Sequence, residues 1–141
     1  MFNKLFKQKN KEKTDDSSIL IAALLIHAAN IDEEYTTIEK IIIKKAIMSL
    51  TKTTTDEAEK LMIKAEKKEE ESNQIIEFTK EVKKKPMEFR HNIIEILWKI
   101  VYSDRTNNIY ESNLIRRVCG LLYVSDKDNG IIRLKVESAN K

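Results

Sequence analysis

Four carboxylates stand in two matched pairs. In "IHAANIDEEYTTIEKIIIKK", residues 26–45, Asp32 leaves an apolar run and Glu39 follows seven residues later. In "WKIVYSDRTNNIYESNLIRR", residues 98–117, Asp104 and Glu111 repeat that layout, shifted by 72 residues. Each Asp falls where one helix should end, and each Glu about one turn into the next. Such a bracketed corner has two chemical uses. Its carboxylates can accept hydrogen bonds from backbone N–H groups of the loop and helix start, stiffening the corner. Alternatively they can join loop carbonyls as oxygen ligands of a hard cation such as Ca²⁺ or Mg²⁺, with Zn²⁺ as a third candidate. If the two hairpins pack as a pseudo-symmetric pair, all four carboxylates gather on one surface. Their repulsion would raise their pKa values unless a cation or lysine relieved it. The pattern is not an EF-hand, which needs acids at alternate positions and Gly at the sixth.

Other chemistry-bearing residues are few. His27 reads as a histidine tucked into a helix with one satisfied hydrogen bond, and His91 as solvent-facing beside Arg90 and Asn92. Cys119, in "RRVCGLLY", has no partner for an internal disulfide and reads as a small buried residue of a reducing compartment. There is no nucleophile motif and no Gly-rich phosphate loop, so the chain is expected not to be an enzyme. A metal-dependent hydrolase, the competing reading, would want more histidines than the two present.

Two Gly and one Pro in 141 residues leave little room for hairpins, and the runs of Lys, Glu, Ile, Leu and Ala point to helices. The expected architecture is all-α: a compact bundle of about seven helices with one helical hairpin duplicated. "ILIAALLIHAAN", residues 19–30, reads as a central helix buried on most sides. In the second helix, about 37–51, Ile38, Ile41, Ile42, Ala46 and Leu50 mark the expected inner face. Thr54 and Glu57 have capping-box spacing ahead of Ala58, Leu61, Met62 and Ala65. The end of that third helix, "EKKEEES", is expected to project into solvent. Ser72 or Asn73 should cap a short fourth helix that ends at "KKKP". A fifth runs from Pro86 to about Ser103 and a sixth covers about 109–122. "GIIRLKV" alternates like a strand, but a lone strand cannot satisfy its edges, so helix is expected there too.

The net charge of +3 is local. Residues 1–13 carry five Lys and one Glu, leaving the rest of the chain at −1. Nucleic acid is therefore not an expected partner. Residues 1–14 read as a basic flexible tail and 15–141 as the helical domain. Phe2, Leu5 and Phe6 have helical spacing among the tail lysines, a pattern that suits an anionic membrane surface or another protein. No signal peptide or membrane-spanning run is visible, so the expected place is the cytoplasm, peripheral to the inner membrane if the tail engages it. Oligomeric state is left open.

"AALLIHAANIDEEYTTIEK", "EILWKIVYSD" and especially "IYESNLIRRVCGLLYVSD" carry a family resemblance. The chain resembles the TerB-like family, the bacterial tellurite-resistance protein B group, whose fold also occurs at the N-terminus of certain membrane-bound DnaJ-type co-chaperones. The likeness covers about residues 18–136. It implies an all-helical fold of about seven helices, a role in tellurite resistance or stress response, and metal binding through acidic corners. Asp32 and Asp104 match the family Asp, and Glu39 and Glu111 its Glu. The family's Gly after each Asp is Glu33 and Arg105 here, so neither corner has that residue's ease in left-handed backbone.

Overall fold

Thr36 and Thr54 start two helices by the same device. Each hydroxyl accepts the backbone N–H of the residue three ahead, Glu39 or Glu57, whose carboxylate accepts the threonine's own N–H. A computed structural model of the chain describes residues 17–31, 35–72, 74–103 and 109–139, with the backbone only at 109–111. These hold seven helices and no strand. They are α1 (17–29), α2 (Thr37–Thr51), α3 (Thr55–Glu71), α4 (Ile75–Val82), α5 (Met87–Ser103), α6 (Ile109–Leu121) and α7 (Asp126–Ala139). The alternating "GIIRLKV" lies inside α7, whose first turn is capped by the Ser125 hydroxyl accepting the Asp128 N–H at 3.1 Å.

The hairpin is duplicated in register. α2 begins at Thr37 and α6 at Ile109, 72 residues apart, so Glu39 and Glu111 are each the third residue of their helix. Burial repeats with the same shift. Ile21, Leu25, Ile26 and Ala29 of α1 become Ile93, Leu97, Trp98 and Val101 of α5, and all eight are buried. Ile43 and Ile47 of α2 become Ile115 and Cys119 of α6, also buried. α1 is enclosed on nearly every side, as its uniform apolarity requires. α5 packs against α2, α6 and α7. Trp98 anchors the last of these by donating its indole N–H to Asn129 Oδ1 at 2.8 Å, with the Arg133 guanidinium 4.7 Å above its ring.

Three local expectations are corrected. The fully buried residues of α2 are Glu39, Ile43 and Ile47. Ile38 and Ile41 are exposed, and Ile42, Ala46 and Leu50 only half-buried. The apolar arc of α2 spans more than half its circumference, so periodicity alone does not choose which part faces the bundle. The N-cap of α4 is Gln74, without a side-chain hydrogen bond; the Ser72 hydroxyl donates instead to Glu77 Oε2 at 2.9 Å. Asn73 lies outside the described residues. His91 is half-buried rather than solvent-facing, its Nε2 3.4 Å from the Asp128 carboxylate of α7.

Candidate functional site at the first corner

Glu39 occupies the third position of α2 because Thr36 fixes the start of the helix. Its Oε1 accepts the Thr36 N–H at 2.9 Å, and the residue is fully buried. This is the backbone-stiffening use of a corner carboxylate, realised at one of the four positions. Asp32 and Asp104 lie outside the described residues. Of Glu111, the placement in α6 is described and the side chain is not.

Around Glu39 the bundle gathers acids that the corner spacing does not name. Tyr35 precedes the cap, and burial pushes its phenol well above the ordinary range, followed by the charge of Glu66 and then those of Glu39 and Glu69. Lys40 partly offsets this negative field: its Nζ lies 3.6 Å from Glu66 Oε2 and 4.8 Å above the Tyr35 ring. Glu69 is only 6 % exposed. His27 Nδ1 lies 3.3 Å from Glu69 Oε1, and the Asn30 amide donates to Glu69 Oε2 at 3.4 Å. The Nδ1–H form of the imidazole is the one that donates to this carboxylate. The imidazole also lies near the Phe78 ring, with centroids 6.0 Å apart and the planes tilted by 59°.

Glu69 corrects the expectation that "EKKEEES" stands free in solvent, although Glu70 and Glu71 beside it are exposed. The signal was present: Ala58, Met62, Ala65 and Glu69 continue one buried stripe at spacings of four, three and four. His27 is half-buried with one polar partner, close to its sequence reading.

Among the described residues, no group of three His, Cys, Asp or Glu side chains is placed to share a metal ion. Nor is there an activated thiol: Cys119 is buried, and desolvation, with a contribution from Asp126, pushes its pKa up to about 11. Among the described residues, no helix is long and apolar enough to cross a membrane.

Nothing among curated proteins or solved structures matches the chain. A family model described as tellurite resistance protein TerB matches residues 18–134, a span that holds both hairpins and all four corner acids. The chain belongs to the TerB family.

Proposed function

We propose that the chain is a non-enzymatic TerB-family module acting in tellurite resistance or a related stress response. In this reading its corners bind a divalent cation through Asp32, Glu39, Asp104 and Glu111. The observation that supports it is the family match, whose span holds both corners; at the first of them the charges of Glu66, Glu39 and Glu69 act on the Tyr35 phenol without being placed to share one ion. Asp32 is three residues from that phenol in sequence, and a bound Ca²⁺, Mg²⁺ or Zn²⁺ would relieve the repulsion. Calorimetric titration with each ion tests the reading. Binding should stabilise the fold by about 2.7 kcal/mol at a hundredfold excess over Kd. Asp104→Asn with Glu111→Gln should reduce that gain, and flat traces for all three ions would end it.

A second reading is an interaction scaffold in the cytoplasm that recruits a protein or an anionic membrane surface. It is favoured by the exposure of Ile38 and Ile41 on α2, at 60 % and 48 %. In this version residues 1–13 supply the membrane contact. Vesicles containing anionic lipid should retain the full chain and release a variant with Lys4, Lys7 and Lys9 changed to Glu. Equal retention of the two would remove the tail from the reading.

A further inference from the structure

Leu114, Val118 and Leu122 are buried along the second hairpin. Shifted back by 72 residues they become Ile42, Ala46 and Leu50 of α2, where each is only half-buried. Among α2 to α7, α6 packs against α4, α5 and α7, whereas α2 packs against α3 and α5. The first hairpin thus keeps a half-buried apolar face whose counterpart in its duplicate is buried.

Beside that face runs an open groove made of two hollows of about 420 and 520 Å³, which share Ile42, Glu95 and Lys99. Ile42, Ala46, Leu50 and Ile96 line the first, and Val136 and Ala139 of α7 extend the second. Ile38, one turn before Ile42 on α2, continues the apolar stripe into solvent. From Ile38 to Leu50 the stripe is about 18 Å long, room for more than three turns of a helix laid along it.

The charge at the lip selects the occupant. Lys45, Lys99 and Lys135 border the groove against one acid, Glu95. Lys135 already pairs with Glu95 at 2.8 Å, while Lys45 and Lys99 make no ion pair with the described residues. We propose that this groove docks an amphipathic helix of a partner protein whose apolar stripe is flanked by Asp and Glu. Such a helix completes on α2 the burial that α6 already has, and its acids meet Lys45 and Lys99. The chain's own residues 1–13 have apolar spacing but bring a charge of +4 to a lysine lip, which disfavours them. The proposal rests on the scaffold reading and gives it a site and a partner chemistry. It is independent of cation binding, and the tail's vesicle test can fail while the groove stands.

The test uses the full chain and three probes, with fluorescence anisotropy for affinity and methyl NMR for location. One is a helical peptide of about four turns with a leucine stripe flanked by Glu. The second replaces each Glu by Lys, and the third is a synthetic copy of residues 1–13. The Glu peptide should bind at least about tenfold tighter than either of the others. Its shifts should centre on Ile42, Ile96 and Val136 and leave Ile63 and Ile76 unmoved. Lys45→Glu with Lys99→Glu, both at exposed positions, should reverse the preference between the Glu and Lys peptides. Several results overturn the proposal: no binding by the Glu peptide, equal binding of all three, shifts centred elsewhere, or an unchanged preference in the double variant. Self-association of the free chain that moves these same methyls would also overturn it, by making a second copy the occupant.

Discussion

The Glu69 carboxylate lies 3.3 Å from His27 Nδ1 and 3.4 Å from the Asn30 amide, joining the end of α3 to the end of α1. Replacing it with Ala leaves the half-buried His27 donor without an acceptor and turns the exposed Asn30 amide to water, at a cost of about 1–3 kcal/mol. Glu69→Gln keeps one carbonyl acceptor in place and should cost less. Glu70→Ala, on an exposed neighbour, should stay within about 0.5 kcal/mol of the parent. Urea unfolding gives all three values, and equal losses at 69 and 70 would contradict the buried placement.

The two capping boxes differ in surroundings, and that difference is measurable. Thr36 pairs with the fully buried Glu39, whereas Thr54 and Glu57 are both exposed. Thr36→Ala should cost about 1–2 kcal/mol, because water cannot replace the lost partner. Thr54→Ala should fall near the lower end, about 0.5–1 kcal/mol. Chemical denaturation at one pH compares them, and a reversed order would mean that the first box is better hydrated than its burial indicates.

Lys52 closes α2 in left-handed backbone, with φ at 54°. That conformation strains a residue bearing a Cβ and leaves glycine at ease. Lys52→Gly should therefore stabilise the protein by about 0.5–1 kcal/mol, visible as a higher Tm. Tyr123 has the same backbone sign, with φ at 56°, but its ring lies 4.9 Å beneath the Lys83 ammonium. Tyr123→Gly gives up that contact and should gain less.

Alkaline pH should weaken the fold through two protons, those of the Cys119 thiol and the Tyr35 phenol. Cys119 is raised from 9.0 to about 11 in the folded state, and Tyr35 is raised above its ordinary 10.0. The folded protein holds both protons more tightly than the unfolded chain. Their stabilising effect is complete below pH 9 and declines as pH climbs through and beyond about 11. Cys119→Ala should flatten the dependence between pH 9 and about 11, and Tyr35→Phe should flatten it above pH 10. A parental fall as steep in the doubly substituted protein would assign it to other groups.

The helices were legible because their signals are local. Thr54 with Glu57, the lone Pro86 and the apolar run of 19–30 each fix a boundary or a buried element within a few residues of sequence. The pairing of Asp32 with Asp104 was legible as a repeat, and it gave the register in which α1–α2 matches α5–α6. What depended on neighbours was not. Ile38 and Ile41 are as apolar as Ile43 and Ile47, and the placement of the packed helices, α3 and α5 among them, decides which pair is enclosed. Glu69 continues the Ala58–Met62–Ala65 stripe in sequence, but only α1, through His27 and Asn30, shows what an acid does there. Of the expected site, Glu39 is found in its hydrogen-bonding use, while the side chains of Asp32, Asp104 and Glu111 lie outside the described residues.

The near-complete enclosure of α1 has a cost during synthesis. Its apolar residues are among the first of the domain to leave the ribosome, yet the core that encloses them extends to Val136. At 5–20 residues per second, the wait between Ala29 and Val136 is roughly 5–20 s. For that interval the most water-averse segment of the chain has no complete place to go. A nascent chain stalled before α5 should hold on to a ribosome-associated chaperone, and one extended past α7 should let it go.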